Sequence, residues 1–143
     1  MTIKTILGLL LSTVFLALAT MHVYWAAGGE SGSVAAVPSV DGRPLFHPSR
    51  VATLLVAASL AVAAGVVAGA VGWSGTPGRA RVFRLLTFAI SIVFLARTVG
   101  DFHYVGFFKT VVGSRFGYWD SVVYSPLCLA IASVAFLIAR WTR

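Results

Sequence analysis

The chain has 143 residues, 59% of them hydrophobic and 10% charged, with a formal net charge of +7. A soluble domain carries roughly a quarter charged residues, so this composition excludes an ordinary water-soluble domain and fits an integral membrane protein. The single cysteine, Cys128, excludes an internal disulfide, a paired-cysteine redox centre and a cysteine zinc cluster.

At about 20 residues per membrane helix, the length fits four helices and short connectors. One all-α integral membrane domain over residues 1–143 is expected, a four-transmembrane-helix bundle. The basic residues fall in connectors and at helix ends, where they set topology. The expected partner is therefore the lipid bilayer and not nucleic acid.

The first helix is predicted over residues 5–25. Lys4 precedes the apolar run, and Tyr24 and Trp25 close it as interfacial anchors. Ala17-Leu18-Ala19 has the form of a signal-peptide cleavage site, but the apolar stretch continues to Trp25 and reads as a span. The connector over residues 26–49 is dense in turn formers, with Gly28-Gly29, Gly32, Pro38, Asp41-Gly42, Pro44 and Pro48. Connectors this long are uncommon without a task, and a cap over the helix ends is expected.

The second helix is predicted over 50–73. Ala57, Ala61, Gly65 and Gly69 recur every fourth residue and form a small-residue face for close helix approach. That face is also the candidate surface for a homo-oligomer. A tight turn follows at 74–81, with Arg79, Arg81 and Arg84 clustered on it. The third helix is predicted over 82–102 and is ordinary until Arg97. The next connector is aromatic and rich in glycine, so it is expected to dip into the membrane interface or pack on the bundle. The fourth helix is predicted over 121–140. It starts either at Asp120 or Ser121 with Pro126 kinking it, or at Ser125 with Pro126 in its first turn.

Four helices put both termini on one side. That side holds Lys4, Arg79, Arg81, Arg84, Arg140 and Arg143 and no acid. The opposite side holds all four acids, Glu30, Asp41, Asp101 and Asp120, with five basic residues. Both termini are therefore expected in the cytoplasm.

The side opposite the termini also gathers the unusual chemistry. Ionisable residues at membrane depth are costly and so are candidates for function. Arg97 and Asp101 are four apart and are expected to pair on one helix face, with Arg97 presenting its planar fork to an anionic or carbonyl group. His22, Glu30, Asp101 and His103 are the candidate acid–base catalysts. Tyr24, Trp25, Arg97, Tyr104, Asp120 and Tyr124 are the candidate ligand-binding residues. Cys128, among leucines, reads as inert. No metal-ligand spacing is present and no cofactor is expected. Haem or a metal held by His22 and His103 is an alternative.

These residues predict a pocket, open at the end away from the termini, for a small lipophilic molecule. Acid–base chemistry there would suit an isomerase, a cyclase or a lyase. The rival readings are an oligomeric transporter or channel subunit, a haem protein, and an accessory protein that docks a partner through Phe107 and Phe108.

Three stretches carry a resemblance. They are His22-Val23-Tyr24-Trp25-Ala26-Ala27-Gly28-Gly29, then Arg97-Thr98-Val99-Gly100-Asp101-Phe102-His103-Tyr104-Val105-Gly106-Phe107-Phe108-Lys109, then Asp120 with Tyr124-Ser125-Pro126-Leu127-Cys128. Together they resemble a family of small bacterial membrane proteins catalogued as a domain of unknown function. The resemblance covers nearly the whole chain. It implies four membrane helices and a bacterial cytoplasmic membrane, and it implies no activity.

Overall fold

The computed structural model describes residues 1–72 and 80–142. Helix α1 (Ile3–Ala26) leads into a connector holding the short α2 (Ser33–Ala36) and an antiparallel pair of two-residue strands, β1 (Ser39–Val40) and β2 (Arg43–Pro44). The strands turn at Asp41 (φ 49°) and Gly42 (φ 76°), the positive-φ pair that a tight hairpin favours. Helices α3 (Arg50–Ala70) and α4 (Ala80–Val99) follow. A second connector then leads to α5 (Arg115–Trp119), a π-helical turn (Asp120–Tyr124) and α6 (Ser125–Trp141).

The last three run on as one helix of 27 residues. With α1, α3 and α4 this makes four helices long and apolar enough to cross a membrane. The predicted bundle is therefore present. The helix ends follow their local chemistry. Thr2, Ser49 and Ser114 each accept a backbone N–H of the first turn, from Thr5, Ala52 and Gly117. Side-chain caps of this kind satisfy donors that have no partner within the helix.

Two expected boundaries are corrected. Helix α4 stops at Val99 and not at 102, because Gly100 turns the chain with φ 85°. The fourth helix starts at Arg115, earlier than either predicted start. Pro126 lacks an N–H and crowds the carbonyl four residues back. The π turn widens the helix just before it, and the Ser125 N–H bonds Asp120 O, five residues back. Of the predicted second helix, Trp73 lies outside the described residues, as do Arg79 of the basic turn and Arg143.

The helices pack as two hairpins, α1 with α3 and α4 with the α5–α6 helix. Each hairpin is tied by a serine. Ser12 Oγ donates to Ala64 O (3.0 Å), and Ser91 Oγ donates to Ala132 O (2.8 Å). The core between hairpins joins Phe15 and Leu11 of α1 to Ala64 and Val67 of α3 and to Ile131 and Ala135 of α6. Phe15 and Phe94 meet at 5.5 Å between ring centroids. Small residues on α3 and α6 let backbones approach, which matters where lipid tails are as apolar as the core.

The predicted small-residue face of α3 is only partly a packing face. Ala57 is buried, and Gly69 sits against the Phe83 ring, where a Cβ would collide. Ala61 and Gly65 are exposed. Four residues advance about 40° beyond a full helical turn, so the stripe winds off the interface.

Thr142 Oγ1 donates to Ala70 O (3.1 Å), and Gly8 packs on Val71. Both termini therefore lie at one end of the bundle, the terminal end. Lys4, Arg81, Arg84 and Arg140 gather there, without an acid among the described residues. At the other end α2 and β1 of the first connector pack on α5, the start of the fourth helix, and cap the bundle there.

Candidate functional site

The capped end contains two separate features, a buried ionic cluster and a cavity. The cluster centres on Asp120, whose side chain is fully buried at the π turn. Its Oδ1 accepts Arg97 Nη2 at 2.6 Å. Its Oδ2 accepts Lys109 Nζ (3.0 Å), the Gly106 N–H (2.9 Å) and the Ser125 hydroxyl (3.2 Å). Lys109 is buried as well. Its ammonium also donates to Gly106 O (2.9 Å) and Ser121 Oγ (2.7 Å), which uses all three donors. One carboxylate thus gathers α4, the connector and the π turn. Buried charge is tolerated when paired and fully hydrogen-bonded, and both conditions hold for Asp120 and Lys109.

The expected Arg97–Asp101 pair does not form. Because α4 ends at Val99, Asp101 leaves the helix face that Arg97 occupies. Its Oδ1 instead accepts the N–H groups of His103, Tyr104 and Val105 at 2.7–2.9 Å. Asp101 is the clasp of a compact loop over residues 100–106. That loop closes tightly enough for the Phe107 N–H to reach Thr98 O (2.9 Å), and it aims the Gly106 N–H at Asp120.

Desolvation pushes the Asp101 carboxyl up, and the three N–H groups outweigh it, holding the group below its ordinary value of 3.8. The sign for stability follows. A folded value below the unfolded one means that the unfolded chain binds the proton more readily. The clasp contributes fully above pH 3.8 and fades as pH falls through the lower folded value. Asp101→Ala should raise amide exchange at His103, Tyr104 and Val105 at neutral pH. Acidifying the wild type through that lowered folded value should reproduce the opening, with little effect on α1 or α3.

The cavity lies between α1, α3 and the first connector. It measures about 470 Å³, within the range of ligand pockets, roughly 300–1,000 Å³. His22 and Trp25 of α1 face Ala52, Thr53 and Val56 of α3 across it, and Val37 and Phe46 come from the connector. The connector is held by the Trp25 Nε1–H, which donates to Ser31 O (2.8 Å). The imidazole of His22 stacks edge-on to Trp25, with ring centroids 5.1 Å apart. Its Nδ1 lies 2.7 Å from Leu18 O.

The ten candidate residues therefore divide. Arg97 and Asp120 belong to the cluster, and His22 and Trp25 line the cavity. Asp101, His103 and Tyr104 belong to the clasped loop, where His103 is exposed, bonds Thr110 Oγ1 (3.2 Å) and stacks on Tyr104. Glu30 is exposed. Tyr24 covers Gly29, and Tyr124 packs on Phe116. His22 lines the cavity, while His103 lies in the clasped loop and bonds Thr110. Among the described residues no three histidine, cysteine or acidic side chains are grouped to hold a metal ion. Lys109 and Gly106 are central to the cluster and were not anticipated. A lysine within an aromatic connector that packs on the bundle is the signal that would have found the first.

Four membrane-length helices in two hairpins, capped at one end by their connectors, define a polytopic four-helix membrane protein. Residues 15–136 match the family model DUF3995, described as a protein of unknown function, and the chain belongs to that family. No curated protein and no solved structure matches the chain.

Proposed function

We propose that the protein binds a small lipophilic molecule in the cavity between α1, α3 and the first connector. The observation that carries this reading is the cavity of about 470 Å³, lined mainly by apolar side chains and roofed by a connector tied down at Trp25. Sites of this form, concave and apolar with few polar groups, are the usual places for small-molecule binding. The Asp120 cluster has the different task of holding the cap together. If the occupant is transformed, His22 is the acid–base group in the wall, since Glu30, Asp101 and His103 lie elsewhere. The terminal end, basic and free of acids among its described residues, faces the cytoplasm of a bacterial inner membrane in this reading.

Trp25 supplies the test. A protein keeping only this tryptophan, with Trp73, Trp119 and Trp141 changed to Phe, is placed in bilayers with a brominated lipophile. Quenching of Trp25 should saturate at low mole fraction, and Ala52→Phe, which fills the cavity, should abolish the saturable part. Quenching that rises linearly and is equal in both proteins would refute the reading.

A further inference from the structure

We infer that the occupant is a long-chain lipophilic alcohol, with its hydroxyl on His22 Nε2 and its chain running past Val56 into the groove between α3 and α4. The inference rests on the cavity proposed above and names what the cavity takes.

The head group follows from hydrogen bonding. A carbonyl oxygen only accepts, so the short contact to Leu18 O places a proton of His22 on Nδ1. In the neutral ring Nε2 is then a lone pair, and it has no hydrogen-bond partner among the described residues. The other polar side chains of the wall have spent their donors. Trp25 donates to Ser31 O, Ser33 Oγ to Glu30 O (2.7 Å), and Thr53 Oγ1 to Ser49 O (3.0 Å). The wall side chains therefore offer acceptors, and the occupant must donate. Among the described residues the lining contains no Asp, Glu, Lys or Arg. An ammonium would find no counter-charge there, and a carboxylate would find neither counter-charge nor a free side-chain donor. A neutral donor, a hydroxyl, fits both conditions.

The chain follows from a shared wall. Val56 lines this cavity and also a second one of about 520 Å³, between α3 and α4. The second runs from Leu55 to Val66 on α3, opposite Leu86 to Phe94 on α4. Eleven helical steps span about 16 Å, the reach of a long alkyl or isoprenoid chain. Its one hydroxyl, on Ser59, is spent on Leu55 O (2.8 Å), so the groove has no donor to offer. Packing between α3 and α4 is looser than within either hairpin, which leaves this groove open to the bilayer.

Photo-crosslinking of the full chain in lipid nanodiscs tests both parts. Two long-chain primary alcohols are used, one with a diazirine beside the hydroxyl and one with it mid-chain. The first should label α1 near Trp25 and the first connector. The second should label residues 60–66 of α3 and, because the helices are antiparallel, 86–92 of α4. Unlabelled alcohol should compete about tenfold better than its methyl ether, the loss expected for one hydrogen bond to the imidazole. His22→Leu should erase that difference, and Val56→Trp should remove groove labelling while head-end labelling persists. Saturable head-end labelling with equal competition by the ether, or mid-chain labelling confined to the connector, would overturn this inference and leave the cavity standing. No saturable labelling by either probe would overturn both.

Discussion

Asp120→Ala should destabilise the protein by about 3–5 kcal/mol, the cost of removing one partner from a buried ion pair. Lys109 is the reason. Its ammonium is 1% exposed, and without Asp120 it keeps only neutral acceptors while Arg97 stays nearby. The Arg97 side chain is 31% exposed, so its half of the cluster contributes less. The Gly106 N–H and the Ser125 hydroxyl also lose their acceptor. Unfolding in mixed SDS micelles measures the effect. The double variant Asp120→Leu with Lys109→Met identifies the cause. It removes the buried cation with its partner, and should cost clearly less than the sum of the two single changes. Additive costs would show that charge burial is not what the cluster resolves.

Gly100→Ala and Gly106→Ala should each cost about 2–5 kcal/mol, from a left-handed backbone conformation combined with overpacking. Both residues take positive φ, 85° and 90°. A Cβ on Gly100 would strike the Val105 carbonyl, and one on Gly106 would strike the Val99 carbonyl. These obstacles are backbone, which cannot turn aside as a flexible side chain does. Opening this loop also withdraws the Gly106 N–H from Asp120. Proteolytic nicking of the second long connector, together with SDS unfolding, should report both changes. Gly113→Ala is the control, because nothing lies within 4 Å of its added Cβ. It should stay within about 0.5 kcal/mol of the wild type.

Much of the fold was legible because membrane helices announce themselves. Each needs a long apolar run, and four such runs stand between stretches of turn formers. Local rules were less reliable at the capped end. The spacing of Arg97 and Asp101 predicts a pair only if the helix continues, and Gly100 ends it. Pro126 signalled a disturbance in the fourth helix, but spacing alone does not distinguish a helix start from a π turn inside a longer helix. The residues converging on Asp120 come from α4, a loop and the π turn. Their meeting depends on the closure of that loop, which has no local periodicity to read.

The cavity was legible only in part. His22 and Trp25 stood out as polar or aromatic side chains at a helix end. The rest of the wall is built from Ala52, Val56, Val37 and Phe46, residues that look like ordinary membrane helix or connector. They enclose space only because the first connector folds back over α1 and α3. Of the other expected wall residues, Arg97 and Asp120 meet in the buried cluster, Tyr104 stacks on His103 and Tyr124 packs on Phe116.

Native mass spectrometry of protein released gently from its own host membrane tests the central claim most directly. Wild type, Ala52→Phe and Ala58→Phe would be compared, the last placing the same bulk on an exposed position of α3 outside either cavity. Wild type and Ala58→Phe should carry one equivalent of a lipophilic molecule that Ala52→Phe lacks, and its mass would identify the class. The same adduct on all three proteins, or none on the wild type, would contradict the assignment of this cavity as a binding site.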